Sequence, residues 1–370
     1  MIAPTDLQSP TVSDLGERAL IERITARLGM PSWVVVGPGD DAAVIEPERG
    51  TLDVLTTDVQ VEGVHFDHRF VPPDAIGHRA LAVNLSDLAA MGAMPRAVLL
   101  SLVLPDALDV ALVDGMMDGF LALAAAHSVA VVGGNISRSP GPLMVDVTAV
   151  GAVRPRRLLT RAGARPGDGV YVTGTIGDAL VGLQSLQRVR GANPSASAEA
   201  TADRRSAERE GWSGSRGGPE ALAPHACPAC EAKYLRPEPR VRAGMLLGRN
   251  RAASACMDLS DGLADAVRQI ADASQVGITL DAGTLPIGGD VRRWHEAHGS
   301  SVIDAAIGGG DDYELLFTVR PAHLGRLRDV RQRLGSLPIT KIGVVTKDRQ
   351  LSIRTETGER RLPAGFEHFR

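Results

Sequence analysis

The sequence GPGDDAAVIEPERGTLDVLTTD, residues 37–58, decides how the chain is interpreted. A loop bent by glycine and proline carries two adjacent carboxylates, Asp40 and Asp41, and a β-type run that begins at Leu52 ends in Asp58. Adjacent carboxylates repel each other and aspartate is depleted in strands, so the arrangement requires either solvent or a cation. Hard divalent cations such as Mg²⁺ prefer such oxygen ligands. For the Asp-Asp pair alone, a solvated turn remains the alternative.

The composition limits the classes of function. A chain of 370 residues is long enough for two domains with their own cores. The net charge of −4 and the aromatic content of 3% argue against a nucleic-acid partner, because they provide neither a basic surface nor a stacking platform. The apolar runs are too short to cross a bilayer, and the first ten residues lack the pattern of a secretory signal. We therefore expect a cytoplasmic protein without a membrane partner.

The basic residues and cysteines exclude several common sites. None of the lysines follows the glycine-rich turn of a Walker A loop, and no GxGxxG opens a helix after a strand. Any bound phosphate must therefore be neutralised by metal ions, arginine or backbone amides. Cys227 and Cys230 supply only half of a zinc site, so zinc or redox use of this pair stays an alternative. No Ser-His-Asp or Cys-His order favours covalent catalysis.

The alternation of strands and helices predicts an α/β first half and an α+β second half. The predicted domains are residues 1–153 and 154–370, the second with a mobile insertion at 190–225 that is small, polar and glycine-rich. A helix is expected over 13–29, and a strand over 129–132 that ends before Gly133, Gly134 and Asn135. A helix capped by Ser260 and a strand over 313–319 are also expected.

Five separate stretches place aspartate at a loop or strand end beside glycine or a helix start. They are Asp40/Asp41, Asp58, Asp87, Asp258/Asp261 and Asp311/Asp312. Asn84 and Asp87 are i,i+3 neighbours in an otherwise apolar helix, which favours a metal or phosphate contact. A helix that begins at Ser260 would place an anion-binding N-terminus beside two carboxylates, as Mg²⁺-bridged polyphosphate requires. For Asp261 alone, simple helix capping remains the alternative.

The motifs resemble those of the thiamine-monophosphate kinase family, within the aminoimidazole-ribonucleotide synthetase-like superfamily. They occur in the family's order and cover nearly the whole chain: GDDAAV, LTTD, GVHF, ALAVNLSDLAAMGAMP, VGGN, LLTRAGARPGD, VYVTGTIGDA, DLSDGL and GGGDDYELLFTV. The resemblance implies a two-domain fold of α/β and α+β type, with the active site between the domains and a homodimer formed through the N-terminal sheet. It also implies transfer of the ATP γ-phosphoryl group to thiamine monophosphate, in line and assisted by several Mg²⁺ ions, which yields thiamine diphosphate.

The resemblance assigns site residues by motif. The implied Mg²⁺ positions are Asp41, Thr56, Thr57, Asp58, Asp87, Asn135, Asp258 and Asp261. The implied ATP contacts are Gly134, Asn135, Arg161 and Ser260, and the implied substrate contacts are His65, Asp311 and Phe366. Many family members carry aspartate where this chain has Asn135, so one Mg²⁺ site is expected to be weaker. Another ATP-dependent enzyme of the superfamily with a different acceptor, or a non-catalytic nucleotide- and metal-binding protein, remains the alternative.

Overall fold

The computed structural model describes residues 9–191 and 226–363. The insertion expected at 190–225 therefore lies, from residue 192 onward, outside the described residues. The helices of the described part are α1 Val12–Leu15, α2 Glu17–Thr25, α3 Pro73–Ala90, α4 Val110–Ala126, α5 Asp178–Gly191, α6 Pro228–Leu235, α7 Val241–Arg249, α8 Leu263–Ser274, α9 Gly289–Ala297, α10 Val302–Gly308 and α11 Leu324–Leu334. In this part of the chain, no helix is long and apolar enough to span a membrane.

The described strands form three sheets. They are β1 Val34–Val36, β2 Val44–Ile45, β3 Leu52–Val61, β4 Met94–Pro105, β5 Ala130–Ser139, β6 Met144–Val153, β7 Gly169–Thr173, β8 Ala255–Asp258, β9 Gly277–Asp281, β10 Leu315–Val319, β11 Ile339–Thr346, β12 Leu351–Thr355 and β13 Gly358–Arg361. The first two strands pair as a hairpin, a four-stranded sheet has the order β3-β6-β4-β5, and a seven-stranded sheet has the order β13-β12-β9-β11-β7-β10-β8.

Helix α3 connects the two larger sheets. It packs on the inner face of the four-stranded sheet and also contacts β8 and α7 of the second half. Most of its residues are buried, since it is covered on several sides rather than along one stripe. Close crossing of α3 and α7 depends on Gly244, because a Cβ there would collide with the carbonyl oxygen of Ala89. This packing brings residues from distant parts of the sequence to the same place.

The four-stranded sheet presents different chemistry on its two faces. Alternate residues of β3 point to opposite sides, so Thr56 and Asp58 face α3 while Leu55 and Val59 face away. Leu55 is 68% exposed and Val59 is 43% exposed, and Leu99 of β4, on the same face, is 40% exposed. The β1–β2 hairpin packs on one part of this face, against Ala97, Ala130 and Val132, and leaves the three apolar side chains exposed beside it.

Several predicted elements differ from the observed ones. The helix predicted over 13–29 is wrong, because Gly16 adopts a φ of 79° and separates α1 from α2. The strand predicted over 129–132 continues to Ser139, so Gly133, Gly134 and Asn135 lie inside β5 rather than after it. Pairing with β4 on one side allows this glycine-containing segment to extend, although its local composition suggested a turn.

The predicted start of one helix and the predicted start of one strand were also wrong. Helix α8 begins at Leu263 with Gly262 as its N-cap, at a φ of 89°, rather than with Ser260. Strand β10 begins at Leu315, because Asp311 and Tyr313 adopt left-handed φ values of 66° and 49° that interrupt a strand. Helix α6 was not predicted, since its short, cysteine-containing sequence follows the low-complexity segment.

Candidate active site

Four predicted carboxylates form an acidic cluster between the two larger sheets. Asp58 comes from β3, Asp87 from α3, Asp258 from the end of β8, and Asp261 from the loop before α8. The Thr56 hydroxyl donates a hydrogen bond to Asp87, which joins the strand to the helix. Residues separated by some 200 positions are therefore neighbours, and we call these four aspartates the acidic cluster.

The cluster carries more negative charge than its surroundings neutralise. Burial, followed by the charges of Asp87, Asp261 and Asp146, raises the pKa of Asp58 to about 7. Burial, followed by Asp87, also raises the pKa of Asp258 to about 7. The pKa of Asp87 is raised by burial. Three carboxyl groups with raised pKa values in one place indicate a site built for added positive charge.

Two neighbouring residues, Ser86 and Arg161, act to lower the pKa of carboxyl groups in the cluster. The Ser86 hydroxyl donates to Asp258 at 2.7 Å, and its hydrogen bond acts to lower the pKa of that carboxyl group. The positive charge of Arg161 acts in the same direction on Asp87 and Asp258. Arg161 also donates to the side chain of Gln269 on α8, which holds the guanidinium beside the cluster. An exposed arginine at the rim of buried carboxylates is suitably placed for a phosphate group.

The donor set fits divalent metal ions by its chemistry. Carboxylate and hydroxyl oxygens are the ligands that Mg²⁺ prefers. The side-chain oxygen of Asn84, buried one helical turn from Asp87, accepts no hydrogen bond in the structure, while its amide donates to the Ala80 carbonyl at 3.1 Å. Among residues 9–191 and 226–363, no three Asp, Glu, His or Cys side chains converge on a single metal position as they stand. Two of the cluster's carboxylates are instead hydrogen-bonded to the hydroxyls of Thr56 and Ser86.

The loop before α8 packs directly on the loop after α10. The Ser260 carbonyl accepts from the Asp311 amide at 2.8 Å. A Cβ at Gly262 would lie 2.6 Å from the Gly309 carbonyl oxygen, and one at Gly310 would lie 2.5 Å from that of Ser260. Only glycine permits this contact, so the two motifs form one continuous wall beside the cluster. The structure thereby brings Ser260 and Asp311 together.

The Asp311 carboxylate is held from two sides. Arg79 of α3 lies 3.3 Å away and Tyr313 donates its hydroxyl at 3.0 Å. Arg79 is only 1% exposed, and its guanidinium stacks over the Tyr234 ring at 4.3 Å and donates to the Tyr234 carbonyl. The Tyr234 hydroxyl in turn donates to the His65 carbonyl at 3.2 Å. These contacts join His65 and Asp311, the two described substrate candidates, through a buried cation.

Asp312, the second acid of that loop, has a structural position. Its two carboxyl oxygens accept from the Gly177 and Ala179 amides, at 2.7 and 3.1 Å, at the start of α5. Burial raises its pKa to about 8, against the effect of these amides. The adjacent acids Asp311 and Asp312 therefore differ in role, one facing the candidate site and the other capping a helix.

Other predicted residues lie apart from the acidic cluster. Asp41 is exposed in the β1–β2 loop, where its amide donates to Asp40 at 2.8 Å. Thr57 lies on the outward face of the sheet and bonds Asp146 and Thr148, each at 3.2 Å. Strand pairing also places Asn135 on that outward face. Gly134 pairs with the buried Leu100 of β4 and belongs to the opposite face of the sheet. Phe366 lies outside the described residues.

Sequence reasoning missed three residues that organise the site: Arg79, Tyr234 and Ser86. The only available signal was Arg79, a lone arginine in an apolar helix, three residues after Ile76. A charge at such a position requires a buried partner, although the sequence does not tell which one. Tyr234 was hidden because α6 itself was not predicted.

Comparison with known proteins places the chain in a family. The AIR synthase related protein N-terminal domain matches residues 39–153, and the AIR synthase related protein C-terminal domain matches residues 165–356. The thiamine-monophosphate kinase of Escherichia coli K12 is 37% identical over 362 residues, which cover 96% of this chain and 98% of that protein. The kinase of the same name from Bacillus subtilis is 33% identical over 359 residues, covering 96% and 100%.

Solved structures agree with the sequence relatives. The thiamine-monophosphate kinase of Stenotrophomonas maltophilia superposes with a TM-score of 0.73 at 35% identity, and covers 90% of this chain and 95% of its own. AaThiL complexed with AMPPCP and TMP superposes with a TM-score of 0.66 at 32% identity, covering 98% and 99%. A hydrogenase maturation protein HypE shares the fold at 17% identity and a TM-score of 0.69. The chain therefore belongs to the thiamine-monophosphate kinase family of AIR synthase related proteins.

Proposed function

We propose that this protein transfers the γ-phosphoryl group of ATP to the phosphate of thiamine monophosphate and so forms thiamine diphosphate. The observation that carries the proposal is the acidic cluster, whose charge is not neutralised by the surrounding protein and which lies beside Arg161. Relatives at 33–37% identity bear the name of this kinase, and a structure at 32% identity holds AMPPCP and TMP. No covalent nucleophile is needed, because in-line transfer between two phosphates requires mainly positioning and charge neutralisation.

The acidic cluster is the proposed Mg²⁺ site. Asp58, Asp87, Asp258 and Asp261 would hold the ions, which would neutralise the phosphates of two anionic substrates and the charge that develops during transfer. Arg161 contributes a permanent cation that contacts a phosphate directly. The Ser86 hydroxyl keeps Asp258 oriented, so this carboxylate needs little rearrangement when it becomes ionised.

The wall formed by His65 and Asp311 is the proposed acceptor site. Arg79 and Tyr313 fix the Asp311 carboxylate, of which 35% is exposed and available to a ligand. The paired arginine reduces the net charge at Asp311, so we assign this carboxylate to accepting a hydrogen bond from the acceptor rather than to balancing a full positive charge. Phe366 stays the proposed aromatic contact.

The outward face of the four-stranded sheet is the proposed homodimer interface. Leu55, Val59 and Leu99 together expose an apolar surface of the kind that monomers rarely leave open. On this proposal Thr57 and Asn135, which share that face, lie at the interface rather than beside Asp58.

The function is tested by incubating the purified protein with Mg²⁺, ATP and thiamine monophosphate and measuring thiamine diphosphate by chromatography. We expect Asp87→Asn to lower kcat at least a hundredfold without loss of folding. The matched control is Asp329→Asn, an exposed aspartate of α11 outside both the cluster and the proposed interface, which should retain wild-type activity. ATP binding without formation of thiamine diphosphate would overturn the proposed reaction, and full activity of Asp87→Asn would overturn the proposed metal site.

A further inference from the structure

A cavity lies at the edge of the seven-stranded sheet, away from the acidic cluster. It has a volume of about 620 Å³ and opens between the C-terminal end of α8 and the hairpin formed by β12 and β13. The acidic cluster lies at the other end of α8, a helix of 12 residues and therefore about 18 Å long. A molecule in this cavity would not contact the proposed substrates of the kinase.

Arginine dominates the rim of this cavity. Four arginines line it, against two acids, Asp272 and Glu359; the arginines are Arg268, Arg349, Arg360 and Arg361. Glu359 already accepts from the Ser352 hydroxyl at 2.6 Å and pairs with Arg354 at 3.7 Å, while Arg360 pairs with Asp304. The cavity therefore concentrates positive charge in a protein whose net charge is −4.

Three of the four guanidinium groups have no carboxylate partner in the described ranges. Arg268 donates only to the Pro363 carbonyl, at the long distance of 3.5 Å. Neither Arg349 nor Arg361 forms an ion pair there, and both are exposed at the cavity rim. Guanidinium groups that line one cavity without a carboxylate partner offer the chemistry that recognises phosphate, which accepts paired hydrogen bonds from arginine.

The turn that carries Arg349 is rigid. Asp348 accepts from the Thr346 hydroxyl at 2.8 Å and from the Gln350 amide at 3.2 Å, so its carboxylate is occupied within the turn. The turn packs on Gly277, where a Cβ would collide with the Thr346 hydroxyl and lie 2.6 Å from Asp348. A turn fixed in this way holds its arginine at the cavity before any ligand arrives, which reduces the entropy lost on binding.

Two residues that line this cavity, Arg349 and Gln275, adopt left-handed φ values of 56° and 57°. At Gln275 this conformation is the C-cap that ends α8, so it has a structural reason. At Arg349 it places a residue other than glycine in a disfavoured conformation, and strained backbone occurs preferentially at ligand sites.

We propose that this cavity is a second anion site, which takes the dianionic phosphate group of a small phosphorylated molecule. Its volume accommodates more than a phosphate ion alone, and the two acids on its wall can accept hydrogen bonds from donor groups on the rest of the ligand. The site does not depend on the proposed kinase reaction, because it shares no residue with the acidic cluster.

The test is isothermal titration calorimetry of the full-length protein with pyrophosphate, inorganic phosphate and AMP, each in EDTA. Without metal, the acidic cluster repels anions, so binding there is suppressed. We expect one site per chain, and at least a tenfold weaker affinity in the double variant Arg349→Asn, Arg361→Gln. Asparagine tolerates the left-handed backbone, so this variant preserves the turn.

Two control variants make the result decisive. Arg328→Gln removes one exposed arginine of α11, and Asp329→Asn removes one exposed acid of the same helix; both should bind like the wild-type protein. Tighter binding of AMP than of phosphate through the same arginines would identify the ligand as a nucleotide. The proposal is overturned if all three anions fail to bind at millimolar concentration, or if the double variant binds them as tightly as the wild-type protein does.

Discussion

Asp258→Asn is expected to stabilise the metal-free protein near pH 8 while it removes the kinase activity. Asp258 is 2% exposed, and burial together with the charge of Asp87 raises its pKa from 3.8 to about 7. The unfolded chain releases this proton near its ordinary pKa, whereas the native protein keeps it until the pH approaches 7. The native state therefore binds more protons in this interval, and the wild-type protein loses stability as the pH rises through it.

The size of the effect follows from the pKa shift. At about 1.4 kcal/mol per pKa unit, the rise from 3.8 to about 7 corresponds to roughly 4 kcal/mol for an ionised Asp258 in the native state. Asparagine is uncharged but remains a buried polar group, so we expect a net gain of roughly 2 kcal/mol in the free energy of unfolding near pH 8. Its side-chain oxygen can still accept the Ser86 hydroxyl hydrogen bond, which is 2.7 Å long in the native protein.

Urea unfolding in EDTA, near pH 8 and near pH 5, measures this difference. Near pH 5 Asp258 is protonated in the native protein, so the advantage of the variant should largely disappear. Mg²⁺ should stabilise the wild-type protein more than Asp258→Asn, because the variant lacks a ligand charge. Exposed Asp329→Asn on α11 serves as the control and should behave as the wild type. A variant less stable than the wild type near pH 8, or an equal difference at both pH values, would refute the reasoning.

Three further predictions concern Arg79, the two threonines of β3 and the outward face of the sheet. Arg79→Met should raise KM for thiamine monophosphate tenfold or more and leave KM for ATP nearly unchanged, because Asp311 loses its partner. Steady-state kinetics measures both constants, and an equal effect on the two substrates would contradict this prediction. Thr56→Val should lower kcat at least tenfold and Thr57→Val much less, since of these two threonines Thr56 is the one that bonds Asp87. Equal losses of kcat would disprove that only the face with Thr56 belongs to the site. Leu55→Glu should convert the proposed dimer to a monomer in light scattering, and an unchanged mass would place the interface elsewhere.

The sequence by itself determined most of the chemistry of the candidate site. Asp58, Asp87, Asp258 and Asp261 were predicted from their positions at strand and helix ends, and the structure brings these four together. A carboxylate in an apolar element is costly to bury, so each signals a requirement beyond packing, and the role of the four as Mg²⁺ ligands stays a prediction. The family was also recognisable from the order of its motifs, which the domain matches confirm.

Only the tertiary structure decided which of two adjacent residues faces the candidate site and which faces away from it. Thr56 and Thr57 are adjacent in sequence, yet strand alternation and pairing with β6 turn them to opposite faces of the sheet. Asp311 and Asp312 are likewise adjacent, but the left-handed backbone at Asp311 sends one carboxylate to Arg79 and the other to the start of α5. Both divisions depend on partners in other elements, distant in the sequence, and no local sequence pattern contains that information.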